Sequence, residues 1–230
     1  MGFLQDNDIK AIVCDVDGTF YPKRAMYLRL AESSVCHPIY AIKYNKMRQT
    51  VRREDGFASL PPMSHREYAE RACLIMYGRH DDRTVDGFLE KEKRVFHDRW
   101  EISYRNLKSY PDVRGTLEMA KSEGLVLGVL SDFPLGVKLD AMGLDDLFDI
   151  KLSSEDFGRF KPNGTPFDIL ASEIGCGRSS ILYVGDSERK DIEGGRRAGM
   201  RTALISRRKT ESSADIVASS WAELRDRLFC

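Results

Sequence analysis

Two aspartates separated by one residue, Asp15 and Asp17, stand directly after the apolar run Ile9–Cys14, and Gly18-Thr19 follow them. The run has the length and composition of a buried strand, so the carboxylates fall where a strand ends and a turn begins. Ionised carboxylates are costly to crowd together unless a cation or a shared proton separates them. A hard divalent ion such as Mg2+ suits oxygen donors of this kind. The same stretch also reads as a plain strand-to-turn junction with two solvated acids. An EF-hand calcium loop is excluded, because the glycine comes too early and Met26 stands where the bidentate glutamate belongs.

Three later segments carry related chemistry. Leu125–Leu130 is a second apolar run and ends in Ser131-Asp132. A hydroxyl and free main-chain N–H groups at a strand end can hold a phosphate oxygen, although Ser-Asp also serves turns and caps. Lys161, in Phe160-Lys161-Pro162, precedes a helix-like segment from Pro166 to Ile174. A lysine there can neutralise a phosphate and a carboxylate together, whereas a lone lysine is usually a solvated charge. The run Ile181–Val184 ends in Gly185-Asp186-Ser187, with Asp191 four residues beyond the serine. One of these acids can ligate a cation while the other ligates or orients it, or Asp191 can simply favour a helix N-terminus.

The elements that must position these residues alternate. Strands are predicted at about 9–14, 125–130, 149–152, 181–184 and 201–205, with a short sixth at 215–217. Helical patterns fall at 112–122, 134–142, 165–174, 189–198 and 219–228. Such alternation predicts an α/β fold with a Rossmann-like, doubly wound parallel sheet. In an open sheet of that kind the strand ends share one edge, where ligands bind.

Asp15-Val-Asp17-Gly-Thr19, Ser131, Lys161 and Asp186 with Asp191 resemble, in order, the four motifs of the haloacid dehalogenase-like (HAD) hydrolase superfamily. The resemblance covers the whole predicted α/β core. It implies a Mg2+-dependent phosphatase working through an aspartyl-phosphate. Asp15 would be the nucleophile and Asp17 the general acid and then base. Thr19, Ser131, Asp132 and Lys161 would surround the phosphate. Mg2+ would be held by the Asp15 carboxylate, the Asp17 main-chain carbonyl and Asp186, with Asp191 in support. One local departure is Lys190, where relatives often carry Asn. Relatives that cleave carbon–halogen bonds lack an acid at the Asp17 position, since a halide leaves unprotonated; an alkoxide needs the proton. Asp17 therefore favours phosphate ester hydrolysis.

Residues 22–110, between the first two strands, are far too many for a loop. Helical stretches are predicted at 26–35, 39–53, 64–77, 84–95 and 97–107, broken at Gly56–Met63 by paired prolines. An all-α insert here resembles the helical cap of one class of the superfamily, which implies a core of residues 1–21 and 108–230 and a cap of 22–107. Caps of that class close over the site and select substrate. Residues 22–110 carry 18 Lys and Arg against 12 Asp and Glu, while the whole chain has 36 of each. A positive lid over an acidic floor suits a small anionic, phosphorylated substrate, and Lys23, Arg52, Arg53 and Arg66 are candidates to touch it. The four histidines, His37, His65, His80 and His97, all lie in the insert and read as surface or packing residues. Tyr21-Pro22 resembles a pyrimidine 5'-nucleotidase-like branch, which places nucleoside monophosphates beside sugar phosphates among the substrates.

Bulk properties narrow the classes. At 230 residues and 42% hydrophobic content the chain can bury a full core. Zero formal net charge argues against nonspecific nucleic-acid binding. No apolar run is long enough for a membrane span, and the first residues lack a signal peptide's apolar centre. Five scattered cysteines without metal-ligand spacing fit the cytoplasm. The rival readings are a phosphomutase or phosphotransferase sharing the Asp15 intermediate, and a noncatalytic binding protein of the same fold. A phospho-receiver switch does not fit the large insert.

Overall fold

The computed structural model describes residues 2–208 and 211–230. Six strands form one parallel sheet in the order β3-β2-β1-β4-β5-β6. They are β1 (Ala11–Cys14), β2 (Val126–Ser131), β3 (Ile150–Ser153), β4 (Ile181–Gly185), β5 (Arg201–Ile205) and β6 (Ile216–Ala218). Each of the five pairings is parallel. Every residue of β1 and β4 is buried, as expected of strands covered on both faces. The short sixth strand forms, and the fold is the doubly wound α/β core with an all-α insert that the sequence implies.

The topology fixes where chemistry can happen. After β1 the chain winds outward through β2 and β3, then returns to lay β4 on the other side of β1. That reversal opens a crevice at the C-terminal ends of β1 and β4. Cys14 is in register with Val129 and with Val184. Asp15 N donates to Val184 O at 2.8 Å, so the sheet still holds the main chain at the first residue of the crevice.

The helices begin with the four-residue α1 (Phe3–Asp6) before β1. The insert carries α2 (Lys23–Ser34), α3 (Pro38–Asp55), α4 (His65–Tyr77), α5 (Asp82–Glu92) and α6 (Asp98–Tyr104), with a π-type turn at Lys93–His97. Ser64 and Glu67 form a reciprocal capping box that starts α4. Tyr44 anchors the insert's interior, its ring centroid 4.6 Å from that of Phe96 and 6.2 Å from that of Phe88. Gly56–Met63 contains no helix beyond a turn, which agrees with its prolines.

The core continues with α7 (Val113–Ser122), α8 (Lys138–Ala141), α9 (Gly164–Ile174), α10 (Gly194–Arg197) and α11 (Trp221–Phe229). Two predicted helices are shorter than their patterns. Residues 134–142 yield only α8, because Pro134 and a left-handed Gly136 (φ +45°) hold the preceding stretch as a loop. Residues 189–198 split into a π-type turn, Glu188–Glu193, and α10. Turns of that kind recur at functional sites.

Trp221 braces the loop after β1 from behind. Its Nε1 donates to Thr19 O at 2.9 Å, and its ring packs 5.7 Å from that of Phe20. Trp221→Ala removes both contacts and leaves a large cavity, at a cost of about 3–5 kcal/mol. Urea denaturation will read this as a lower midpoint, and Trp221→Phe should recover most of it. A midpoint unchanged in Trp221→Ala contradicts the bracing role.

Candidate active site

Lys161 is the hub of the crevice. Its Nζ is fully buried and donates to Asp15 Oδ1, Asp191 Oδ1 and Tyr183 Oη, each at 2.8 Å, and to Leu130 O at 3.1 Å. Five segments therefore meet on one ammonium group: the ends of β1 and β2, the middle of β4, the turn Glu188–Glu193 and the loop before α9. Burial works against the charge on Lys161, but Asp15 and Asp191 outweigh it and hold its pKa well above the usual value. Asp15 feels the opposite balance. Burial pushes its carboxyl up to about 7, with Lys161 pulling it down and Asp191 adding to the rise. Thr19 Oγ1 donates to the other oxygen, Asp15 Oδ2, at 3.1 Å.

Asp17 sits in a separate cage. Lys138 Nζ lies 2.9 and 3.0 Å from its two oxygens, Ser131 Oγ donates to Oδ2 at 3.2 Å, and Tyr21 Oη donates to Oδ1. Lys138 is 2% exposed. Its neighbour Tyr104 presents a ring face 4.9 Å from Nζ. The Asp17 carboxylate thus faces Lys138, so a metal contact from Asp17 would have to come from its main-chain oxygen.

Asp15, Asp186 and Asp191 each offer a carboxylate oxygen, and the three oxygens lie within 4.8 Å of one another. Asp186 Oδ1 is buried without a hydrogen-bond partner, while its Oδ2 meets Lys23 Nζ at 2.6 Å. Burial raises the Asp186 pKa, with Lys23 opposing. Three hard oxygen donors and one orphaned buried oxygen fit a divalent cation such as Mg2+. Asp191 is already held by Lys161 and by Ser187 N at 3.0 Å, which suits it to a supporting place. Two glycines make room: a Cβ on Gly18 (φ +110°) would collide with Asp186, and one on Gly185 with Asp191.

Asp132 accepts from Arg52 Nη2 at 3.0 Å, Lys161 N at 3.1 Å and Lys190 Nζ at 3.4 Å. Burial alone would raise its pKa; Arg52, Lys190 and Lys161 win and hold it far below the usual range. Its carboxylate anchors cations and offers no donor to a phosphate. Ser131 Oγ accepts from Phe133 N at 3.1 Å, which shapes the loop after β2.

The insert sends cations into this floor. Arg48 is buried between the rings of Phe133 (4.4 Å) and Phe160 (4.0 Å). Its guanidinium pairs with Glu155 and donates to Asp132 O at 2.6 Å. Lys23, Arg48 and Arg52 therefore spend part of the insert's positive charge on core carboxylates. Arg53 lines the cleft beside them. Arg66 does not belong to the site: it pairs with Asp82 and with Asp86 at 3.1 Å on α5. His97 faces Glu155 and His65 faces Glu92, both at 3.4 Å, while His80 is exposed; these are packing and surface positions.

Sequence reasoning missed Lys138, Arg48, Glu155 and Tyr183. Tyr21 stood out only as part of Tyr21-Pro22. The one available signal for Lys138 was its place seven residues after Ser131, in the segment that follows β2.

Residues 9–199 match the haloacid dehalogenase-like hydrolase family. A glyceraldehyde 3-phosphate phosphatase of Methanopyrus kandleri is 32% identical over 217 residues, spanning 87% of this chain and 85% of the relative. A ribulose-1,5-bisphosphate 5-phosphatase of Halopiger xanaduensis is 26% identical, covering 94% of this chain and 98% of the relative. Among solved structures, a 2-haloacid dehalogenase of Pseudomonas syringae superposes with a TM-score of 0.64 at 24% identity, over 96% of this chain and 98% of that one. The chain belongs to the haloacid dehalogenase-like hydrolase family.

The raised Asp15 pKa sets a pH dependence. A carboxyl raised above its unfolded value contributes stability at low pH that is lost as pH rises through about 7. A bound cation requires the ionised form and reverses that loss. At one fixed Mg2+ concentration, the rise in Tm should therefore be larger at about pH 8 than at about pH 6. Equal shifts at both pH values contradict this.

Proposed function

We propose that the protein is a Mg2+-dependent phosphatase that hydrolyses the phosphomonoester of a small metabolite through Asp15. It is a phosphatase of its family, and relatives are named as phosphatases of glyceraldehyde 3-phosphate, ribulose-1,5-bisphosphate and phosphoglycolate. The observation that carries the mechanism is the buried Lys161 ammonium on Asp15 Oδ1, with Asp186 and Asp191 on the same side. Mg2+ held by Asp15, Asp186, the Asp17 main-chain oxygen and Asp191 in support would neutralise charge on the transferring phosphoryl group.

The protein's own groups supply the rest. Phosphoryl transfer needs in-line positioning and neutralisation of spread negative charge. Lys161 and Thr19 orient the two Asp15 oxygens, and one of these oxygens bonds to phosphorus as the ester P–O bond breaks. Asp17 gives its proton to the departing oxygen. It then takes a proton from the water that attacks phosphorus and frees Asp15. Lys138, Ser131 and Tyr21 keep the Asp17 carboxyl in one place for both transfers. Thr19, Ser131, Lys161 and the Asp132 main chain are the proposed surroundings of the phosphate. Asp17 also separates this reaction from dehalogenation, which needs no acid at the leaving group.

Residues 22–107 are proposed as the cap and residues 1–21 and 108–230 as the core. Arg48 and Arg52 support that reading, since they close the insert onto the floor through Glu155 and Asp132. The five free cysteines suit a reducing compartment such as the cytoplasm. No helix among the described residues is long and apolar enough to cross a membrane.

Asp15→Asn should abolish hydrolysis of every ester while leaving thermal unfolding close to that of the parent. Retained turnover in a pure preparation removes Asp15 as nucleophile. Asp17→Asn should lower kcat by about 10²–10⁴ for an alkyl phosphate and much less for p-nitrophenyl phosphate, whose leaving group needs no proton. Equal losses on both esters count against the acid role.

A further inference from the structure

A cleft of about 290 Å3 opens beside the catalytic crevice, between α2 and α3 of the insert and the loops that follow β2 and β4. Its core wall consists of residues adjoining the site: Phe133 follows Asp132, Pro162 follows Lys161, and Ser187 follows Asp186. The cleft thus adjoins the segments that carry Asp132, Lys161 and Asp186, and gives a substrate held at Asp15 room to extend. The volume is near the lower end of the ~300–1,000 Å3 common for ligand sites. That suits a leaving group of a few carbons better than a nucleoside.

The charge of the lining is one-sided. Arg52, Arg53, Arg189 and Lys190 face the cleft, and no Asp or Glu lines it. Arg52 and Lys190 are committed to Asp132. Arg53 and Arg189 are exposed, and among the described residues neither has a carboxylate within ion-pair distance. Arg189 does lie 5.9 Å from the Phe57 ring, a contact that leaves its donors free. Exposed arginines are ordinarily solvated. Here two of them converge from different elements on one acid-free cleft next to a phosphate site. Guanidinium groups match carboxylate and phosphate geometry with paired donors.

We propose that Arg53 and Arg189 bind a second anionic group on the substrate, a carboxylate or a second phosphate. This rests on the phosphatase reading and narrows its substrate to doubly anionic small metabolites. Arg53 on the insert and Arg189 on the turn after β4 then have a function.

The test compares two pairs of esters, the first matched in size. 2-Phosphoglycolate carries a carboxylate where 2-hydroxyethyl phosphate carries an alcohol, and a sugar bisphosphate against its monophosphate supplies the second-phosphate arm. The parent enzyme should prefer the doubly anionic member of at least one pair by about tenfold or more in kcat/KM, the scale of one charge-assisted contact. In Arg53→Gln/Arg189→Gln that ratio should collapse toward one, through KM. The arm that shows the preference identifies the anion. A ratio near one in the parent, or the same ratio in the variant, overturns the proposal and leaves the phosphatase reading standing. No turnover of any ester removes that reading and the inference with it.

Discussion

The structure depends on a fully buried ammonium ion. Lys161 Nζ has two carboxylates, a phenol and a main-chain carbonyl around it, and together they supply the acceptors that a desolvated cation requires. Removing the ammonium leaves two carboxylates facing each other in the interior without a cation. The same contacts fix the relative positions of the ends of β1 and β2, the middle of β4 and the turn Glu188–Glu193. Asp15 is consequently presented in one orientation, with a neighbour that favours its ionised form against the pull of burial. The doubly wound topology makes this possible, because it places β1 between β2 and β4 with their carboxyl ends in register.

A second electrostatic constraint joins the insert to the core. Arg48 penetrates between Phe133 and Phe160 to reach Glu155, and Arg52 reaches Asp132. Asp132 in turn accepts from Lys161 N. The insert is therefore linked to the segment of Lys161 through one carboxylate. Movement of α3 away from the floor would expose Asp132 and loosen the segment that carries Lys161. If the insert is the cap proposed above, this geometry couples its position to order in the site.

The central strands β1 and β4 were legible because they are buried on both faces and read as unbroken apolar runs. Asp15, Asp17, Lys161, Asp186 and Asp191 were legible because each stands where such a run ends or a helix begins. Lys138 and Arg48 were not. Whether a long charged side chain is buried depends on a partner distant in sequence, and Lys138 finds Asp17 across the sheet while Arg48 finds Glu155. Arg66 failed as a site residue for the same reason, since its partners Asp82 and Asp86 sit on the next helix. The residues 134–142 pattern overstated α8 because apolar spacing continued through Pro134 and Gly136, where the main chain cannot.

The most direct measurement is the titration of the Asp15 carboxyl carbon by NMR in the parent protein and in Lys161→Met, both without metal. Loss of the ammonium should move the Asp15 midpoint upward from about 7, because burial and Asp191 then act unopposed by Lys161. A midpoint that stays in place or falls would contradict the claim that Lys161 favours the charged form of Asp15 against burial.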